Sequence, residues 1–144
     1  MSATNPKTIE LYGHGIQREA KALDDITPGM LVERADGGVQ PVLSANATFS
    51  MRTYANEYGL TGLTINDTYE ADDQVIFTTY APGSAVYAIV AAGAAAITEG
   101  AYLKAVTGGT VAAAGAEDTV VAQALEAVDN SGEATPARIK IEIV

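Results

Sequence analysis

Cysteine and tryptophan are absent from this 144-residue chain, histidine occurs once, and two phenylalanines and seven tyrosines are all its aromatics. Without cysteine there is no disulfide framework, no thiolate metal site and no cysteine nucleophile. The lone histidine, His14, leaves no histidine pair for zinc, and any Ser-His-Asp arrangement would have to use it. It stands between Gly13 and Gly15 and reads as a loop residue. Basic residues are also few: eight Lys and Arg face 18 Asp and Glu, a formal charge of −10. Lys7, Arg18, Lys21, Arg34, Arg52, Lys104, Arg138 and Lys140 are scattered along the chain. Nucleic-acid binding needs clustered cations to displace counterions, so nucleic acid and anionic membranes should be repelled. No apolar run approaches the roughly 20 residues of a membrane span. Residues 1–20 lack the basic start and apolar run of a signal peptide, which points to cytoplasmic synthesis.

What is present is apolar but small. Hydrophobic residues make up 48% of the chain and aromatics only 6%, so much of the apolar content is alanine. The length suits one domain with a core of its own. That core is expected to be thin, and subunit contacts would help stabilise it.

One phrase occurs twice. Ile26-Thr27-Pro28-Gly29-Met30-Leu31-Val32 precedes Asp36-Gly37-Gly38-Val39, and Ile97-Thr98-Glu99-Gly100-Ala101-Tyr102-Leu103 precedes Gly108-Gly109-Thr110-Val111. Ile26 and Ile97 stand 71 residues apart, as do Gly37 and Gly108. Each copy reads as a glycine turn, a short strand, a Gly-Gly hairpin turn and a return strand. Two copies fall short of the roughly three that a solenoid needs. They predict two related hairpin units, near 26–43 and 97–113, sharing one core.

Elsewhere, Gln74 to Tyr80 is rich in β-branched and aromatic residues, Pro82-Gly83-Ser84 turns the chain, and Ala85 to Val90 returns. Arg138 to Ile143 alternates strictly and is the clearest strand. Its partner across the Asp129-Asn130-Ser131-Gly132 turn is expected within Ala122 to Val128. Arg52 to Tyr58 reads as a short helix or a loop. Ala91 to Ala96 is too short and too broken by Gly93 for a stable helix, and reads as a connection. Residues 1–20 lack a regular pattern and read as an extended N-terminal arm. The fold class is therefore mostly β: a small barrel- or sandwich-like domain over residues 21–144, built from two related subdomains.

Candidate chemistry is sparse. Asp67, Glu70, Asp72 and Asp73 lack the spacing of a calcium loop and read as a solvated acidic turn. Neither Gly-Gly pair opens a helix or carries a phosphate-loop lysine. No catalytic residue, metal ligand or cofactor site is expected. Ile9, Leu11, Tyr12 and Ile16 are the candidate contact residues, because these apolar side chains need a surface to bury against.

Taken in order, Ile26 to Glu33, Tyr69 to Val75, Val86 to Ala94, Ile97 to Gly100, Ala122 to Ser131 and Arg138 to Glu142 form a pattern that resembles the capsid decoration, or cement, proteins of tailed bacteriophages. The resemblance spans roughly residues 9–144. It implies a structural virion protein on the outer surface of the head, binding and bracing the expanded lattice of major capsid protein, often as a homotrimer. It carries over no site residues. The alternative is a carbohydrate-binding or adhesin-like β-domain displayed on the virion, for which Tyr54, Tyr58, Tyr69 and Tyr80 are the plausible platform.

Overall fold

The structure is a computed structural model and describes residues 5–43 and 51–144. The described residues hold eleven strands, one 3-10 turn at Gly59–Thr61 and no α-helix. The mostly-β, sandwich-like class read from the sequence is the class observed.

Two halves share one plan. In the first, a long strand β2 (Gly15–Lys21) leads to a hairpin, β3 (Val32–Ala35) and β4 (Gly38–Pro41), then to a short β5 (Thr53–Ala55) and a long β6 (Gln74–Tyr80). In the second, β7 (Ala85–Val90) leads to β8 (Tyr102–Val106) and β9 (Thr110–Ala113), then β10 (Ala122–Ala124) and β11 (Ala137–Ile143). Strand orders match, β2-β6-β5 against β7-β11-β10. Each set closes into a five-stranded ring. Leu31↔Tyr54 and a parallel Ala22↔Val39 bridge close the first. The β8–β10 ladder and a parallel Val90↔Val111 pair close the second.

The repeated phrase is where the halves agree residue by residue. Ile26 exchanges main-chain hydrogen bonds with Tyr69 as Ile97 does with Val128. Met30 N–H reaches Thr27 O at 3.1 Å, and Ala101 N–H reaches Thr98 O at 3.1 Å. Gly29 and Gly100 both take left-handed φ, +97° and +86°, and donate to Ala55 O and Ala124 O at 2.8 Å. An L side chain is strained there, which is why the motif keeps glycine. The copies part at the hairpin tip. Asp36-Gly37 joins β3 to β4, whereas Thr107-Gly108-Gly109 joins β8 to β9. Gly38 is thus the first residue of a strand paired with Ala35, not half of a Gly-Gly turn.

Interior positions follow from register. Arg18 pairs with Phe77 on β6 as Val86 pairs with Ile141 on β11. The second ring is filled by Val86, Ala88, Leu103, Ala105, Ala122, Ala124, Ile139, Ile141 and Ile143, all buried. A five-stranded ring is narrow, so small alanine beside isoleucine suits its interior. The low-volume composition read as a thin core is the composition this interior requires. Each buried Ile or Val contributes about 1.5–3 kcal/mol. Ala22, Val32, Val39, Val75 and Phe77 fill one end of the first ring.

Beyond the two plans lies β1 (Glu10–Tyr12), antiparallel to β7, with Glu10 opposite Val86 and Tyr87 N–H donating to Ile9 O at 2.8 Å. From Glu10 onward, much of the stretch read as an arm is therefore sheet: β1 on the second ring, β2 in the first. The segment read as helix or loop contains β5. Ala91–Ala96 is a non-helical connection. The partner of β11 within Ala122–Val128 is the three-residue β10, beyond which the chain bends away.

Candidate docking surface

The four candidate contact residues divide between core and surface. Ile9 is fully buried within the domain's own core, which withdraws it from any outer contact. Leu11 is half-buried against the same core. Tyr12 on β1 and Ile16 on β2 remain exposed, 55% and 62%. Leu60, on the 3-10 turn, is 94% exposed. A single leucine beside a glycine carries no periodic signal, so sequence reasoning passed over it.

The basic residues scattered in sequence are not scattered in space. Arg18 from β2, Arg34 from β3 and Arg52 just before β5 line one hollow of about 430 Å³ at the mouth of the first ring. Its apolar wall includes Val32 and Phe77, and the Arg34 guanidinium lies 5.5 Å from the centre of the Phe77 ring. Arg52 Nε donates to the main-chain oxygen of Val144 at 2.9 Å. The ion pairs among the described residues, Lys21–Asp72 and Lys104–Asp118, involve none of the three. Glu33 is the one carboxylate in the lining, and it already accepts from Gln40 Nε2 and Leu43 N–H.

The fourth arginine has a different task. Arg138 on β11 is half-buried, lies 5.7 Å from the centre of the Tyr87 ring, and donates to Pro28 O at 2.6 Å, Ile65 O at 2.7 Å and Tyr87 O at 3.4 Å. Pro28 and Ile65 belong to the first half, so this guanidinium ties the halves together. A hollow of about 760 Å³ opens beside it, bordered by Lys7, Thr8, Glu57 and Leu63.

The remaining polar candidates are structural. His14 main-chain groups exchange hydrogen bonds with the Ser84 hydroxyl. Asp67 accepts from Thr64 N–H and its hydroxyl, which hold its carboxyl below the usual range. Asp73 accepts from Glu70 N–H, and Asp72 pairs with Lys21. Among the described residues no three His, Cys, Asp or Glu side chains come together as a metal cluster.

Three of the four tyrosines offered as a sugar platform, Tyr54, Tyr69 and Tyr80, are buried, which removes that surface. Burial pushes the Tyr80 and Tyr69 hydroxyls up to about 12. It pushes the Tyr54 hydroxyl well above its usual range, with Tyr80 adding to the effect. Asn56 Nδ2 donates to the Tyr80 hydroxyl at 2.6 Å, which favours the phenolate and offsets only part of the effect of burial. The phenolate is thus disfavoured in the fold relative to an unfolded value near 10. Stability held by Tyr69 and Tyr80 is full below about pH 10 and is lost as pH rises through about 12, and that held by Tyr54 persists to still higher pH. In an alkaline absorbance titration, their phenolate signal is expected to rise only together with loss of strand circular dichroism. Their ionisation in a chain that keeps its spectrum would contradict this packing.

No protein-family model matches this chain, and no curated protein matches it in sequence. Among solved structures, it is similar to the head fiber gp8.5 N base of bacteriophage phi29, with a TM-score of 0.59 and 15% identity over 91% of this chain and 95% of that one. At that identity the likeness is one of fold.

Proposed function

We propose that this protein is a structural, non-enzymatic component of a tailed-phage virion. It would be made in the host cytoplasm and bound to the outer surface of the head, where it stabilises the expanded lattice of major capsid protein. The observation that carries this reading is the match in fold, over nearly the whole of both chains, to a part of a phage head fiber. The formal charge of −10 suits an outer surface better than one facing packaged DNA. Tyr12 and Ile16 supply exposed apolar contacts at the start of the domain. A homotrimer is the assembly we infer from the resemblance to cement proteins.

Purified protein mixed with bare expanded heads of its own phage is expected to sediment with them, and imaging should find it on the outside at three-fold positions. Heads carrying it should withstand heating that opens bare heads. Protein left in the supernatant would overturn the head-binding reading. Single copies away from three-fold positions would overturn the trimer, and unchanged heat resistance would overturn the bracing role.

A further inference from the structure

We propose that the mouth of the first ring and the open edge of β2 together bind an extended, acidic segment of another protein chain, added antiparallel to β2. The duplication itself points to this site. In the second ring, the edge of β7 away from β11 is covered by β1, with Glu10 opposite Val86. Arg18 holds the position of Val86 in the first ring, as the Arg18–Phe77 and Val86–Ile141 pairs show. Among the described residues, β2 has no strand on that side from Gly15 to Ala20, and all of these but Ala20 are exposed. An unpaired edge of this length offers a row of free N–H and C=O groups to an incoming strand. One half of the molecule thus displays the kind of partner that the other half lacks.

The side chains then specify its chemistry. Val86, Ala105, Ala122 and Ile143 close the second ring with apolar groups. The same register positions in the first ring carry Arg18, Arg34, Thr53 and Thr79, which leave the hollow open and cationic. Three of the chain's four arginines face this one site on a protein of charge −10. Alternate residues of a strand laid along β2 would point over the hollow, and carboxylates there would meet the guanidinium groups. Three arginines within an acidic surface are too few to hold a polyanion such as nucleic acid, so a peptide carrying a few carboxylates is the better fit.

The test needs no phage heads, so its failure is distinct from failure of the head-binding reading. Isotope-labelled intact protein is titrated at low salt with a capped heptapeptide alternating threonine and glutamate. Saturable shifts are expected at the Arg18 and Arg34 side chains, with slowed hydrogen exchange at the β2 amides. Arg18→Gln combined with Arg34→Gln, both exposed positions, should keep the strand spectrum and weaken binding roughly tenfold or more. Lys7→Gln with Lys140→Gln makes the same change in net charge elsewhere and should leave binding intact. Four results would overturn the proposal: no saturable shifts, equal loss in both double variants, equal binding of the lysine counterpart, or arginine shifts without protection of β2. Preference for a single-stranded oligonucleotide over the acidic peptide would overturn the assignment to a protein segment.

Discussion

Gly29→Ala is expected to lower the unfolding free energy by about 3 kcal/mol, whereas Gly100→Ala, at the same place in the second copy of the motif, should lower it by only about 1 kcal/mol. Both glycines hold left-handed φ, so alanine is strained at each by a similar amount. Their surroundings differ. A Cβ on Gly29 would meet Arg138 Nη1 and would stand 2.7 Å from Tyr87 O, whereas a Cβ on Gly100 meets nothing within 4 Å. Tyr87 O is main chain within β7, so it cannot swing away. The Arg138 guanidinium is pinned by its own hydrogen bonds. Overpacking of this kind typically adds about 1–3 kcal/mol. Thermal midpoints should fall by roughly 10 °C for Gly29→Ala and by a few degrees for Gly100→Ala. Equal losses at the two positions would mean that backbone strain alone, not the packed contact between halves, sets the cost.

Arg138→Met is expected to cost about 3 kcal/mol, through the carbonyls it leaves behind rather than through lost charge. Pro28 O and Ile65 O each accept a short hydrogen bond from this one guanidinium, and Tyr87 O accepts a longer one. Methionine matches the aliphatic stem but donates nothing, and each half-buried acceptor left bare loses about 1–3 kcal/mol. Arg138→Lys should recover little, because a compact ammonium cannot bridge acceptors that a planar fork spans. In urea the midpoint should drop with an unchanged slope. A loss below about 1 kcal/mol would show that water satisfies those carbonyls once the arginine is gone. Gly29→Ala and Arg138→Met disturb the same contact, so together they should cost less than the sum.

The duplication was legible in the sequence mainly at the turns, where Ile26-Thr27 and Ile97-Thr98 lead into glycines that the backbone requires. Gly29 with Gly100, and Gly37 with Gly108, mark backbone with positive φ, and few residues can hold it. The rest of the shared plan lies in main-chain pairing, which is indifferent to side chains. Phe77 and Ile141 hold equivalent positions, as do Arg18 and Val86, and neither pair looks related as letters. The acidic turn and the long strands β6, β7 and β11 were legible because their chemistry is local. The arginine hollow was not, since Arg18, Arg34 and Arg52 come from separate parts of the first ring and meet only when it closes. β1 and β2 escaped notice for a related reason. A strand exposed on both faces has no apolar–polar alternation to display, and β2 is exposed at every residue but one.

Residues 10–12 belong to one ring by chain order and to the other by position. The turn at Pro82-Gly83 is the covalent joint between the repeats, and a cut there would leave two units of equal plan. The second would lack the strand that shields β7, and Ile9 would be taken from its core. The first would keep a tail with no sheet to join. Repetition here is stitched rather than modular: the leading strand fastens the first repeat to the second, so a cut at this joint takes a strand and a core side chain from the second ring.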